Sequence, residues 1–509
     1  MKNKICIISC LLAIYFGFLG AQTPTGRTAA TVVADVLAQM PAERSSAYEQ
    51  FMKELVDTGT EGVKILLEMR YAPGKGDNSA VDYALSGIAN FASGDEALKS
   101  KVEQAFIATL DGVNDTETKA FIIRQLAIVG SEASIGKLAE YLSDEKLCSP
   151  AASAMVSIGG PLAGKTLQTL LMRRSAISPE TQRSLIQALG DVTPVIEGTE
   201  ELLKTMINVE DPITKGIALK ALSRTGTKQS LPDMAAVAAA TRYKAEITDA
   251  TDAYLRLIKR VYEQGDTKEA TADAQKLLQN ATKSGSTQFR ISAMEILFYN
   301  QADVIKTLKN ALKDGNKTYR YAALNFASGA VDKALYTELY KTLPKAKTGE
   351  KIDILNWIVN EVSCPEKQQI LKTIETGIDK PGSQTLIKLL NDRDNEVKQA
   401  AAEALGAIGD KTTLPAIADI LKSQDINLLA CARDVLSTFP DDISPAIAKV
   451  FNPASDEGKK IVLELLSVRK ANAFFNLVLE QTKNSTPVVR DAAYNTLKDV
   501  VSEKDFVVL

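Results

Sequence analysis

The stretch that decides the fold is DRDNEVKQAAAEALGAIGDKTTLPAIADIL, residues 392–421. Asp394 or Asn395 can cap a helix start, a side-chain oxygen accepting from first-turn amides that have no carbonyl partner. Val397, Ala400, Ala401, Ala404, Leu405 and Ile408 then recur with the period of an α-helix and lie along one of its faces. Gly409 follows, where a left-handed residue ends a helix at least cost. Thr412 or Thr413 is placed to cap a second helix with Pro415 in its first turn, and Leu414, Ile417, Ala418 and Leu421 form its inner stripe. The alanines let two antiparallel helices approach closely. The unit is a helical hairpin.

One such hairpin cannot bury all of its apolar surface alone, so the pattern should recur. A shift of 183 residues superposes IALKALSRTGTKQSLPDMAAVA on it, matching Ala218, Leu222, Gly226 and the Leu231-Pro232 pair. A shift of 279 brings in Leu126, Gly130, Ile135, Leu138 and Leu142; a shift of 250 brings in Ala151, Met155, Gly159, Leu167 and Leu171. The anchors Leu126, Met155, Leu189 and Leu222 lie 29, 34 and 33 residues apart. Weaker copies continue through QFRISAMEILFYNQADVIKTLKNAL, YRYAALNFASGAVDKALYTELYKTL, LACARDVLSTFPDDISPAIAKVF and IVLELLSVRKANAFFNLVLEQT.

The pattern V-K-x-A-A-x-x-A-L-G-x-I-G-D followed by L-P-x-I resembles the short HEAT-like repeat of the phycobilisome-lyase type. That resemblance covers roughly 79–509 and implies an all-α fold, a right-handed α-α superhelix of about a dozen helical hairpins whose second helices line its concave face. It implies nothing about bilin chemistry, because such repeats are scaffolds in unrelated proteins. The period is expected to break around 241–283 and 345–391. Residues 22–78 read as an irregular helical N-terminal cap of three short helices, closed by the loop YAPGKGDN.

The two ends carry separate expectations. MKNKICIISCLLAIYFGFLGA places Lys2 and Lys4 ahead of an apolar run and ends on Gly20-Ala21, the layout of a secretory signal peptide over 1–21 cut after Ala21. An uncleaved anchor is the alternative, though the run is short for a spanning helix. The expected destination is the periplasm or cell surface, with no membrane span after cleavage. At the other end, a shift of 92 residues sets Leu497 on Leu405 and Leu509 on Ile417, so the last repeat is incomplete and ends on Phe506-Val507-Val508-Leu509. Either the chain is the front part of a longer product, or its last helix is short, frayed or covered by a second copy.

Composition narrows the chemistry. Beyond position 21 there are 58 basic and 63 acidic residues, giving no overall pull toward nucleic acid. The chain has no histidine, which removes His-based acid–base triads and zinc motifs. Cys148, Cys364 and Cys431 are far apart and read as small buried apolar residues, not as a disulfide or metal framework. DGVNDTET and DRDNE carry acids at calcium-like spacing but lack the glycine and distal glutamate of an EF-hand loop, and read as helix caps. APGKGDN lacks the Ser/Thr and strand context of a phosphate loop and reads as a turn. No catalytic residue, cofactor site or metal site is assigned, and no enzyme activity is expected within this chain.

One segment stands out. Between Phe289 and Trp357 lie nine of the 26 aromatic residues found after position 21. Tyr299, Tyr319, Tyr321, Tyr336, Tyr340 and Trp357 are interleaved there with Lys306, Lys309, Lys313 and Arg320. Two readings stand: a basic, aromatic-studded partner-binding groove on second helices, or large core fillers beside solvated lysines. The function expected is that of an exported, non-catalytic repeat scaffold for a protein or glycan partner, without nucleic acid. The alternative, from a looser resemblance of 22–130 to exported bacterial HEAT-repeat proteins, is the N-terminal scaffold portion of a longer secreted carbohydrate-active protein, its sugar-binding or hydrolase domain lying beyond residue 509.

Overall fold

A computed structural model describes residues 26–507 apart from 73, 300–303, 330–332, 363 and 377–380, with backbone alone at 174, 371–376, 381, 382, 506 and 507. Residues 1–21, where a signal peptide is expected, and the side chains of Phe506 to Leu509 lie outside the described residues. Within them there are 29 α-helices and no β-strand. The helices form two compact units, one up to Asp273 and one from Ala274 onward.

The hairpin at 392–421 shows how sequence becomes structure. Asp394 caps the helix Asn395–Ile408, its carboxylate accepting from Glu396 N at 2.9 Å. Gly409 ends that helix in the left-handed region, at φ 68°. The second helix begins differently from the expectation: Asp410, not Thr412 or Thr413, supplies the cap, accepting from Thr412 N at 2.9 Å. An Asp carboxylate carries full charge and outcompetes a hydroxyl for the helix-start amides. The helix is also broken into a 3-10 turn at Lys411–Thr413, an α-turn at Leu414–Ala418 and a second 3-10 turn at Asp419–Lys422. Every residue of both apolar stripes is buried.

Hairpins join through their first helices. Gly406 lies away from the main stripe of Asn395–Ile408, where a Cβ would come within 2.4 Å of Val435 Cγ1 on the next first helix, Ile426–Thr438. Glycine there allows backbone-to-side-chain contact between neighbours. In the second unit the first helices Thr287–Tyr299, Lys317–Ala327, Thr348–Val362, Asn395–Ile408, Ile426–Thr438, Asp456–Val468 and Pro487–Val500 pack one upon the next. In the first unit Ser79–Ala92, Thr116–Val129, Cys148–Ile158, Pro179–Asp191, Pro212–Thr225 and Ala250–Glu263 do the same. Each apolar stripe therefore closes against both its own hairpin and its neighbours.

The irregular segments have physical explanations. Over 22–78 the helices are Ala29–Leu37, Ser45–Asp57 and Gly59–Glu68; the last two pack on the following hairpin as first and second helices. Around 345–391 two helices, Pro365–Thr376 and Pro381–Leu389, follow Thr348–Val362, which still packs directly on Asn395–Ile408. The repeat has gained a helix without interrupting the first-helix row. Around 241–283, Arg242, Tyr243 and Asp249 take positive φ in the loop before Ala250–Glu263, and the helix Thr267–Ser284 runs for 18 residues. Glu246 stabilises that loop by accepting from Thr248 N and Ala250 N at 2.8 and 3.1 Å.

Polar stitches run between hairpins. Glu103, on the second helix Glu96–Leu110, is buried and accepts from Ser131 N at 2.7 Å and Ser134 Oγ at 2.5 Å, capping the next second helix, Glu132–Ala139. Glu200 repeats this device toward Thr227 N, at 3.0 Å, and Ser230 Oγ. In the second unit Arg320 pairs with Asp353 at 2.6 Å, Lys351 with Asp392 at 2.6 Å, and Asn395 donates to Asp425 at 2.7 Å. These contacts specify which hairpin follows which.

Candidate partner-binding surface

The aromatic segment forms three first helices, Thr287–Tyr299, Lys317–Ala327 and Thr348–Val362, and two second helices, Val304–Leu312 and Lys333–Thr342. Its large rings face inward. Tyr336 and Tyr340 are 1% exposed, Trp357 4% and Tyr319 5%. Tyr336 and Trp357 pack with ring centroids 5.4 Å apart. Two polar tips have partners inside: Tyr336 donates to Glu361 at 2.8 Å and Trp357 Nε1 donates to Ser328 Oγ at 2.7 Å. The Lys367 ammonium pairs with Glu361 at 2.9 Å, so the buried carboxylate is balanced. Burial first, and then the Glu361 carboxylate, push the Tyr336 hydroxyl well above its ordinary pKa.

Arg320 is buried as well, donating to Asp353, while the Arg290 guanidinium stacks 3.9 Å above the Tyr319 ring. Five residues of the expected groove, Tyr319, Arg320, Tyr336, Tyr340 and Trp357, are therefore core and not surface. The reason is shape: on these helices the aromatic positions coincide with the stripe that faces neighbouring helices, and burying a ring outweighs displaying it.

The remaining five stay at the surface. Tyr299 is 59% exposed, and Lys306 and Lys313 are exposed on or just past the second helix Val304–Leu312. Tyr321 is half-buried with the Lys317 ammonium 5.4 Å from its ring centroid. Lys309 reaches across to Glu338 at 2.5 Å on the adjacent second helix. That hydrogen bond, opposed by some burial and aided by the Lys309 and Lys341 charges, holds the Glu338 carboxyl below its ordinary range.

Sequence reasoning missed the other half of this face. A shift of 32 residues carries Lys306, Lys309 and Lys313 onto Glu338, Lys341 and Lys345, and Lys341 and Lys345 are both exposed. The repeat period itself was the signal. Residues 304–347 contain nine basic and three acidic residues, whereas acids outnumber bases over the chain as a whole.

Elsewhere the surface is less organised. A cleft of about 360 Å³ lies between the first helices Pro212–Thr225 and Ala250–Glu263, walled by Ile213, Ile217, Lys220, Ala253 and Arg256, with Arg256 held by Asp252 at 2.7 Å. Another of about 370 Å³ runs along Leu142, Leu162, Thr166 and Arg173. Among the described residues no group of three His, Cys, Asp or Glu side chains could hold a metal ion. Cys148, Cys364 and Cys431 are free thiols, and only Cys148 is buried as expected, the other two being half-buried; loss of solvent pushes Cys148 up to about 11 and Cys431 up to about 12. Of the acids in DGVNDTET and DRDNE, Asp115 and Asp394 act as caps, accepting from Thr118 N at 2.7 Å and from Glu396 N, while Asp111 and Asp392 pair with Lys137 and Lys351. Asn78 closes the YAPGKGDN turn with bonds of 2.7 and 2.8 Å to the Tyr71 backbone.

Comparison with known proteins agrees with this geometry. The family model for HEAT repeats matches residues 354–437 and 383–466. Among solved structures the chain is similar to yeast importin-beta (Kap95p), at 12% identity over 93% of this chain and 73% of that one, with a TM-score of 0.43. It is similar also to a chain of the Kap95:Nup1 complex, at 12% identity over 95% and 74% with a TM-score of 0.42. No curated protein sequence matches the chain. The chain carries HEAT repeats over residues 354–466, and its described residues build all-α rows of helical hairpins.

Proposed function

We propose that this protein is an exported, non-catalytic scaffold that holds a protein or glycan partner on the concave face lined by its second helices. The observation carrying the reading is the lysine-rich face of the second helices Val304–Leu312 and Lys333–Thr342, open to solvent while Tyr319, Tyr336 and Tyr340 of the same hairpins are buried. Burying the aromatics makes those hairpins rigid, and rigid hairpins present charged groups at fixed spacing, which lowers the entropic cost of binding. Export rests on Lys2, Lys4 and the apolar run to Leu19.

Two measurements test it. Edman sequencing of the cell-derived protein should begin at Gln22, and a protein retained in the cytoplasm with Met1 intact would refute export. Affinity capture with the mature chain from the native envelope, followed by rebinding of the purified partner, should yield a stoichiometric complex. Failure of every captured molecule to rebind would refute the scaffold.

A further inference from the structure

The lysine face has more structure than a general excess of charge. Lys306, Lys309 and Lys313 stand at i, i+3 and i+7, one side of a helix. Glu338, Lys341 and Lys345 stand at the same spacing one repeat later, on a neighbouring second helix or the turn that ends it. The Lys309–Glu338 contact ties the two rows together, with its side chains 42% and 28% exposed. Two short parallel rows result: three cations in one, an anion followed by two cations in the other.

From this arrangement we infer that the surface formed by Lys306, Lys309, Lys313, Lys341 and Lys345 around Glu338 binds an acidic polypeptide segment. The inference rests on the scaffold reading above and names the chemistry of its partner. Three features favour a polypeptide over other polyanions. The cations are all lysine, point charges on flexible stems, and none offers the bidentate fork that favours phosphate. The rings that could stack on bases or sugars are mostly inside, with Tyr336, Tyr340 and Trp357 all below 5% exposed. Glu338 sits within the patch, where a continuous phosphate or sulfate backbone would meet a like charge. A peptide can instead set its carboxylates on the lysines and a neutral or donor residue against Glu338.

The experiment uses the purified mature chain and a fluorescein-labelled (Glu-Ser-Ala)4 peptide, read by anisotropy at low ionic strength. A dT12 oligonucleotide and a heparin dodecasaccharide are run in parallel. The variant K306E/K309E/K341E should bind the acidic peptide roughly tenfold or more weakly, as three modest exposed ion pairs become repulsions. The variant K411E/K449E/K483E, which changes net charge equally at exposed lysines elsewhere, should bind as the wild type does. Because the triple variant also breaks the Lys309–Glu338 contact, E338Q supplies the opposite perturbation. It removes the Glu338 charge, frees Lys309 and should tighten peptide binding several-fold. Equal peptide affinity in wild type, K306E/K309E/K341E and E338Q would overturn the inference. So would a patch-dependent affinity for dT12 or heparin exceeding that for the peptide. An envelope partner retained equally by wild type and K306E/K309E/K341E would leave the scaffold standing while this inference falls.

Discussion

Replacing Glu103 with alanine should damage one inter-hairpin joint in a way that can be followed locally. Glu103 is 3% exposed and accepts from Ser131 N, from the Ser131 hydroxyl at 2.8 and 2.9 Å, and from Ser134 Oγ. Among the described residues no cation pairs with it; the carboxylate is held by the start of the next second helix. Removing it orphans the Ser131 amide and the hydroxyl of Ser134, itself fully buried. Losing a cap costs about 1 kcal/mol. Each buried donor left without an acceptor costs about 1–3 kcal/mol more, less whatever water recovers for Ser131. The expected loss is about 3 kcal/mol. Glu103→Gln keeps one acceptor oxygen and should lose about half as much.

Hydrogen exchange is the suitable assay, because repeat arrays need not unfold in one step. Amides of Glu132–Ala139 should lose about 3 kcal/mol of protection in Glu103→Ala, a factor of roughly a hundred in exchange rate, while those of Pro487–Val500 remain unchanged. Protection of Glu132–Ala139 within about 0.5 kcal/mol of wild type would refute the idea that this carboxylate joins the hairpins.

Further outcomes follow from particular contacts. Gly406→Ala should destabilise by about 1–3 kcal/mol through overpacking, because the new methyl meets Val435; an unchanged melting temperature would contradict the close approach. Leu405→Ala, at a fully buried position, should cost about 2–5 kcal/mol and lower the urea midpoint of the second unit. Asp211 is held at about 2, against an ordinary value of 3.8, first by the Thr214 hydroxyl and then by the Thr214 amide. A depressed carboxylate contributes stability above its unfolded pKa and loses it as pH falls through the folded one. Wild type should therefore lose more stability than Asp211→Asn between about pH 4 and pH 2, measured by urea midpoints across that window. Cys148, fully buried and raised to about 11, should resist thiol-specific reagents at pH 8 until denaturant is added; rapid labelling of the folded protein at this position would contradict its burial.

Much of the fold was legible because its signals are local and repeated. The stripe from Val397 to Ile408, the glycine at 409 and the proline at 415 each act within one or two turns, and the same grammar recurs near every thirty residues. Helix periodicity, hairpin order and the absence of histidine chemistry all follow from residue identity and spacing. Cap choice was less legible: Asp410 competed with Thr412 and Thr413, and only backbone geometry distinguishes them.

The inside and outside of the aromatic segment were decided by tertiary structure. A tyrosine at 321 and one at 336 look alike in sequence, yet Tyr321 lies half-buried beside Lys317 while Tyr336 packs on Trp357 and donates to Glu361. A helix in a stacked array has more than one apolar face, and periodicity within one helix cannot say which face the next hairpin will cover. The lysines escaped that ambiguity: an unpaired ammonium is too costly to bury, so their spacing predicted a surface while the rings between them did not. What brought Lys309 to Glu338 was the stacking of two second helices, a contact across 29 residues that no local pattern contains.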